Sequence, residues 1–126
     1  MKWEDPMYWD MLIRRSLSRF FMLMALAEGP SHGYRLKEAV RTACEGCCQP
    51  TDAMIYPAIK ELKEKGYIET RTEMQGARER KVCYLTPLGM EAFKAGAEAW
   101  KAVVPHIQTA VDIAENANNP EPVPKA

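Results

Sequence analysis

The chain has 126 residues, 47% of them apolar and 27% charged, a composition typical of one soluble globular domain with a modest core. Its longest apolar run spans residues 20–27, whereas a membrane span needs about 20 residues. The N-terminus lacks a signal-peptide pattern, so we expect a cytoplasmic protein with no membrane partner. The 17 basic and 17 acidic residues cancel, and net charge alone therefore gives no indication of a polyanionic partner.

The N-terminal 30 residues divide into an aromatic segment and a helix. Residues 1–15 contain Trp3, Tyr8 and Trp9, more aromatic surface than a free tail carries, which predicts an arm or short helix packed on the body or on a second subunit. Residues 16–28 form the first clear helix, because apolar side chains recur there at helical spacing. Its predicted buried stripe comprises Leu17, Phe20, Phe21, Met24 and Ala27. Gly29 and Pro30 end this helix.

The next two predicted helices flank a cysteine-rich turn. Ser31 offers an N-cap hydroxyl for the second helix, in which we expect the Tyr34 ring to be buried. Residues 44–50 form the turn, since they contain glycine and proline. Thr51 caps a third helix over residues 52–65. The inner stripe of that helix comprises Ile55, Ile59 and Leu62.

A hairpin and a long helix complete the chain. Residues 67–73 and 78–85 are rich in strand-forming residues around a turn at 74–77, and Cys83 shares the parity of Leu85, which directs its thiol to the core. Thr86 caps the last helix, over 86–115, with Pro87 at the first helical position. Three prolines in residues 116–126 predict a disordered tail.

Apolar residues in the last helix are separated alternately by three and four positions, the heptad pattern of helices that pair. The predicted dimerisation seam comprises Met90, Phe93, Ala97, Trp100, Val104, Ile107 and Val111. This pattern predicts a homodimer.

Two helices joined by a short turn and followed by a hairpin form a winged helix-turn-helix. The predicted fold class is therefore mainly α with a small β-hairpin wing. It comprises a winged helix-turn-helix over residues 16–85 and a long C-terminal dimerisation helix. Domains of this kind place the second helix of the pair in the major groove. Double-stranded DNA is thus the expected partner, and helix 52–65 the expected recognition helix.

Four motifs in order resemble one family. The segments MALAEGPSHGYRLKEAV, MIYPAIKELKEKGYIET, a basic hairpin and YLTPLGMEAF resemble the PadR family of bacterial regulators over about residues 17–93. The resemblance implies a dimeric repressor, often of a nearby transporter or detoxification gene, that a small molecule releases. The chain departs from the family pattern at Ala53, Met54 and Ile55 in the recognition helix and at Val82 and Cys83 in the return strand. These changes bear on DNA affinity and site preference.

The predicted DNA contacts are cationic or hydroxyl side chains on the helix pair and the wing, because such groups neutralise phosphates and reach base edges. They are Tyr34, Lys37, Thr51, Tyr56, Lys60, Arg78 and Arg80. Structural roles compete with this interpretation. Ser31, His32 and Tyr34 could instead satisfy local backbone groups and fill space, and lysines of the recognition helix could pair with Glu61 and Glu64.

Two places could receive an effector. Cys44, Cys47 and Cys48 lie in the turn between the two DNA helices, where thiolates can hold a soft metal ion or oxidise to a disulfide. The alternative is an incidental loop that binds no ligand. Alternatively, Phe93 and Trp100 would line an apolar ligand pocket at the dimer seam, or Trp100 would only fill the dimer core.

The sequence favours a DNA-binding repressor that responds to an effector. The alternative is a winged helix that serves as a protein–protein interaction module without direct DNA readout, which the balanced charge and Met54 favour slightly. We predict no enzymatic activity, because the sequence has no phosphate-binding loop, nucleophile elbow or metalloprotease motif.

Overall fold

A computed structural model describes residues 2–43 and 52–124. Its elements in chain order are α1 (Pro6–Glu28), β1 (Ser31–His32), α2 (Gly33–Ala43), α3 (Asp52–Glu64), β2 (Ile68–Gln75), β3 (Arg78–Leu85) and α4 (Pro87–Asn116). The chain divides into two compact units, Met1–Lys94 and Ala95–Ala126. The predicted fold class is confirmed: the chain is mainly helical, with a small antiparallel sheet and the helix order of a winged helix protein.

Helix α1 begins ten residues before the predicted start at Ser16. Its N-cap is Asp5, whose carboxylate accepts the Met7 N–H at 2.9 Å, and Pro6 occupies the first turn, where its missing N–H costs little. Ser16 lies within the helix and donates its hydroxyl to the Ile13 carbonyl at 2.9 Å. The first clear helix therefore starts at Pro6, because Asp5 and Pro6 provide an N-terminal cap ten residues before the start that the apolar spacing indicated.

The aromatic residues of the N-terminal segment contact one another. The rings of Trp3, Tyr8 and Trp9 have centroids 5.4 to 5.6 Å apart, and the Trp9 indole N–H donates to the Trp3 carbonyl at 2.6 Å. Trp3 and Trp9 nevertheless remain exposed. The segment is thus helical from Pro6 onward, and packing on a second subunit stays a prediction.

The buried stripe of α1 differs from the predicted one. Met22, Leu23 and Leu26 are buried, whereas the predicted members are only partly buried. The deepest contact therefore lies on a neighbouring face of the helix. Phe20, which is partly buried, has its ring centroid 5.4 Å from that of Phe93, near the start of α4.

The sheet has three strands, in the order β1-β3-β2, all antiparallel. The short strand β1 was not predicted: Ser31 lies opposite Cys83, and His32 lies opposite Val82. Ser31 therefore does not cap α2, and its hydroxyl donates to the His32 carbonyl at 3.3 Å. The acceptor in the first turn of α2 is instead His32 Nδ1, which lies 3.4 Å from the Arg35 backbone N–H.

Side chains from five elements form the core. These are Met22, Leu23 and Leu26 of α1, Leu36 and Val40 of α2, Ile55, Ala58 and Leu62 of α3, Ile68 of β2 and Cys83 of β3. The prediction that the Cys83 thiol faces the core is confirmed, and burial raises its pKa. The prediction that the Tyr34 ring is buried is wrong, since 64% of this residue is exposed. Helical periodicity placed Tyr34 beside Leu36, but among the α2 residues whose burial is described, those buried in the core are Leu36 and Val40.

Hydrogen bonds around Gly66 and Thr86 form the end of α3 and join it to the start of α4. Gly66 N–H donates to the Lys63 carbonyl at 3.1 Å and Tyr67 N–H to the Leu62 carbonyl at 2.9 Å, the two bonds of a Schellman motif. The Thr86 hydroxyl donates to the Gly66 carbonyl at 2.7 Å and accepts the Gly89 N–H at 3.0 Å. The predicted Thr86 cap is thereby confirmed.

Helix α4 continues through Pro105 to Asn116. In its C-terminal part, Val104, Ile107 and Val111 are 52%, 46% and 42% exposed. Residues 117–124 have no regular secondary structure. Within the described ranges, no helix is both long and apolar enough to cross a membrane.

Candidate nucleic-acid interface

Helix α3 has one buried and one exposed face, spaced as 3.6 residues per turn requires. Ile55, Ala58 and Leu62 face the core, whereas Tyr56 is 50% exposed and the Lys60 side chain is 79% exposed. The Lys60 ammonium lies 4.0 Å from Glu64, and such a long, exposed ion pair contributes little. Lys60 can therefore turn to an external anion at small cost.

The C-terminal end of α3 is tied to α1 instead. The Glu61 carboxylate lies 2.5 Å from the Arg19 guanidinium and 3.3 Å from the Lys65 ammonium. Hydrogen bonds from Arg19 and then Lys65 lower the pKa of Glu61. Lys65 thus has a partner within the chain, as the structural interpretation of this lysine predicts.

The N-terminus of α2 adjoins the exposed face of α3 at Gly33. A Cβ at Gly33 would lie 3.0 Å from Tyr56 Cε1 and 3.4 Å from the Tyr56 hydroxyl oxygen. The absence of a side chain at this position therefore lets the Tyr56 ring lie against the α2 backbone. The next residue, Tyr34, is also exposed, so α2 and α3 each present an exposed tyrosine in this part of the molecule.

Lys37 lies one turn further along α2. Its ammonium is 5.8 Å from the centroid of the Tyr34 ring, a cation–π arrangement that holds the charge near the exposed tyrosine. Both predicted contact residues of α2 are thus on the same helix face.

The wing connects to this surface through Arg80. Its Nη1 lies 3.3 Å from His32 Nε2, which joins β3 to the residue before α2. The pKa of His32 is lowered, first by burial and then by the charges of Arg80 and Arg35. Arg78 is exposed at the hairpin end, opposite Gln75. Tyr56, Gly33, His32 and Arg80 therefore form a continuous path from α3 to the wing.

The wing also carries an ordered polar array. The Arg71 guanidinium lies 5.0 Å from the centre of the Tyr84 ring and 3.3 Å from a Glu69 carboxylate oxygen. The Tyr84 hydroxyl donates to the Glu73 carboxylate, which raises the pKa of Tyr84. These contacts hold Glu73 to the tyrosine and leave Arg80 directed to His32.

Several predicted site residues lie outside the described residues. They are Thr51 and the cluster Cys44, Cys47 and Cys48. Among residues 2–43 and 52–124, no group of three or more His, Cys, Asp or Glu is placed to hold a metal ion. The cap at Thr51 and the metal or thiol site stay predictions.

The predicted seam of α4 is shared between two compact units. Phe93 belongs to the first unit, where its ring packs on Phe20 and against the core, and Met90 is partly buried. Trp100 belongs to the second unit and is also partly buried, whereas Ala97 is exposed. A ligand pocket formed by Phe93 and Trp100 stays a prediction.

Two residues at this surface were not among the predicted contacts. His32 and Arg35 are one helical turn apart, and the spacing alone could have suggested that they act together. The approach of Arg80 to His32 could not have been found in this way, because 48 positions separate them and only the β1–β3 pairing brings them together.

Comparisons with known proteins agree with this geometry. The model of the transcriptional regulator PadR-like family matches residues 22–95. No curated protein matches the sequence.

Among solved structures, a transcriptional regulator from Clostridium thermocellum is 24% identical with a TM-score of 0.69, covering 77% of this chain and 95% of that one. A PadR family regulator from Clostridium difficile is 18% identical with a TM-score of 0.67, covering 75% and 98%. Another from Eggerthella lenta is 19% identical with a TM-score of 0.66, covering 80% and 87%. At these identities the likeness shows the fold.

Proposed function

Since this chain belongs to the PadR-like family of transcriptional regulators, whose members bind DNA and are not enzymes, we propose that it is a homodimeric, effector-released repressor. The observation that carries the proposal is the continuous surface formed by α3, the α2 N-terminus and the wing. It combines Tyr56 and Lys60 of α3, Tyr34 of α2 and Arg80 of the wing, although they come from separate parts of the sequence.

Each element of this surface has its own role on DNA. The exposed face of α3 enters the major groove, where Lys60 and the Tyr56 hydroxyl contact base edges or flanking phosphates. Tyr34 and Lys37 contact the backbone beside the groove. Arg78 and Arg80 neutralise phosphates along the wing and thereby fix the register of α3 without themselves selecting sequence.

The half-exposed apolar residues of α4 support the dimer. Val104, Ile107 and Val111 lie on one helix face with 42% to 52% of each exposed, and this spacing suits a seam that a second copy covers. A two-fold dimer would present two copies of α3 to half-sites about one DNA turn, roughly 34–36 Å, apart. The exposed Trp3, which precedes α1, and Trp9, near the start of α1, would extend the same interface.

DNA binding is tested with the duplex upstream of the protein's own gene. We expect affinity to fall steeply with salt, because each neutralised phosphate releases counterions and contributes about −0.9 to the slope of log K against log salt. Lys60→Ala and Arg80→Ala should each weaken binding and reduce the magnitude of that slope by about one. Lys65→Ala is the matched control, since Lys65 is paired with Glu61, and it should bind as wild type.

The outcomes separate DNA binding from its alternative. If the duplex is bound with no dependence on salt, or if Lys65→Ala is as damaging as Lys60→Ala, the proposed interface is wrong. The interaction module would be favoured instead if the wild-type protein binds no DNA and if the Lys60→Ala and Arg80→Ala variants still bind a protein partner.

The dimer is tested by sedimentation equilibrium at micromolar concentration. Ile107→Asp places a charge in the seam and should give a monomer. Ala102→Asp is its matched control, because position 102 lies opposite the seam in the heptad pattern, and it should remain dimeric. A monomeric wild-type protein would refute the dimer.

The effector is proposed to act at one of two places. The cluster Cys44, Cys47 and Cys48 follows α2 and precedes α3, so a soft metal ion or a disulfide there would move the recognition helix. Alternatively, an apolar molecule would bind at Trp100 in the dimer. Replacing the three cysteines with serine and repeating the DNA titration with zinc, arsenite and oxidant decides between them. If DNA binding by the serine variant responds to these reagents as the wild type does, the thiol site is excluded. Cys83→Ser is the control for thiol loss in general.

A further inference from the structure

The two ring nitrogens of His32 face two hydrogen-bond donors. Nδ1 lies 3.4 Å from the Arg35 backbone N–H, and Nε2 lies 3.3 Å from Arg80 Nη1. A backbone N–H and a guanidinium can only donate, and a neutral imidazole has a single accepting nitrogen. Neutral His32 can therefore satisfy only one of these neighbours.

The contact with Arg35 is the one that suits the fold. Arg35 N–H lies in the first turn of α2, where backbone donors have no carbonyl partner within the helix. Burial, Arg80 and Arg35 all lower the pKa of His32 and so favour the neutral ring, in which Nδ1 keeps a lone pair for this N–H. The proton then resides on Nε2, where it points toward a second donor, Arg80.

His32 and Arg35 line an open recess of about 250 Å³, enough for several water molecules and therefore for a phosphate group, and Arg80 lies next to it through its contact with His32 Nε2. The charged and titratable groups in and around it are Arg35 of α2, Glu73 of β2, and Arg80 and Tyr84 of β3. Glu73 accepts the Tyr84 hydroxyl. Positive charge and N–H donors thus converge on a space that can hold an acceptor.

We propose that this recess binds one phosphate group, whose oxygen accepts hydrogen bonds from both His32 Nε2–H and Arg80 Nη1–H, and that the phosphate belongs to the DNA backbone. A bridging acceptor removes the conflict between the two donors and preserves the Arg35 hydrogen bond. The assignment to DNA rests on the proposed function and on position, because the recess adjoins Gly33, against which Tyr56 of α3 packs.

The site is tested by substitutions that separate the two ring nitrogens. In His32→Asn the amide oxygen takes the place of Nδ1 and can accept the Arg35 N–H, but nothing replaces Nε2. In His32→Gln the amide nitrogen takes the place of Nε2 and can donate to the phosphate. We expect His32→Asn to weaken binding of the upstream duplex about tenfold, as loss of a hydrogen bond to a charged group does, and His32→Gln to retain most of the affinity.

Two further readouts distinguish phosphate binding from a structural role. Arg80→Ala should reduce the magnitude of the salt slope by about one, whereas His32→Asn should leave it unchanged, because the ring is neutral. The double variant should bind only as weakly as Arg80→Ala, since both side chains hold the same phosphate. Equal losses in His32→Asn and His32→Gln, or fully additive losses with Arg80→Ala, would overturn the proposal. If His32→Asn fails to fold, the response of the wild-type His32 ring to inorganic phosphate, and its loss in Arg80→Ala, still decide it.

A DNA-free measurement separates this site from the proposed function. Inorganic phosphate is titrated into the wild-type protein while the imidazole nitrogens are followed by NMR, with His106, on exposed α4, as the internal control. We expect His32 Nε2 to respond, His106 not to, and Arg80→Ala to abolish the response. If His32 responds but the protein binds no DNA, the phosphate site stands and its assignment to DNA fails together with the proposed function. If the protein binds DNA, the His32 signals do not respond to phosphate and His32 substitutions leave DNA affinity unchanged, then the site is wrong and the function stands.

Discussion

Replacing Gly89 with alanine should destabilise the junction between α3 and α4. A Cβ at this position would lie 2.0 Å from the Tyr67 carbonyl oxygen, 2.6 Å from Leu85 Cδ1 and 3.0 Å from the Tyr67 carbonyl carbon. A carbon and an oxygen approach no closer than about 3.3 Å even in a weak C–H···O contact. The first turn of α4 must therefore move by about 1 Å or more relative to Tyr67.

The structure sets the size of this effect. The Tyr67 carbonyl cannot retreat freely, because it accepts the Thr86 N–H at 3.2 Å while the Tyr67 N–H is bonded to Leu62. Overpacking of this kind costs about 1–3 kcal/mol, and loss of the Thr86 hydrogen bond adds about 1 kcal/mol. The higher helix propensity of alanine returns at most about 1 kcal/mol. We expect a net loss of about 2 kcal/mol, or a fall in Tm of roughly 10 °C for a domain of this size.

Urea unfolding followed by circular dichroism, at equal protein concentrations, measures this loss. Gly29→Ala is the matched control, because a Cβ there meets nothing within 4 Å and the backbone φ of 162° is extended. Its free energy of unfolding should change by no more than about 0.5 kcal/mol. A Gly89→Ala protein as stable as wild type would refute the reasoning that this close approach fixes α4 on Tyr67.

Three other substitutions or modifications have defined outcomes. Gly33→Ala should displace the Tyr56 ring, 3.0 Å from the new Cβ, and lower DNA affinity severalfold in a fluorescence-anisotropy titration. Its Tm should stay within a few degrees of wild type, because the ring is half-exposed. Unchanged affinity would exclude Tyr56 from the interface. The bond from Arg19 lowers the pKa of Glu61 below its usual 4.5, so its contribution to stability is present above pH 4.5 and lost as the pH falls through the folded-state pKa. Glu61→Gln should reduce the fall in the free energy of unfolding at acid pH, measured by urea unfolding. An unchanged fall would contradict the assignment. In the variant whose three clustered cysteines are serine, the buried Cys83 should react with a thiol reagent only as fast as the protein opens, and rapid reaction under native conditions would mean that the thiol is accessible.

The sequence alone predicted the elements whose signals are local. Gly66 and the Thr86–Pro87 pair place the end of α3 and the start of α4 correctly, because caps act through hydrogen bonds within one turn. The alternation in the hairpin predicted that Cys83 is buried, because successive side chains of a strand point to opposite faces. These local signals, together with the ordered motifs, were sufficient to predict the winged helix class and the family.

Only the tertiary structure decided how distant segments meet. Strand β1 is two residues long, too short for any periodicity, and exists because Ser31 and His32 find partners on β3. The exposure of Tyr34 and the buried face of α1 depend on which neighbours pack against each helix, and spacing within one helix does not contain that information. The His32–Arg80 contact belongs to the same class: burial and pairing between remote residues are set by packing of the whole chain, whereas caps and turns are set by their own few residues.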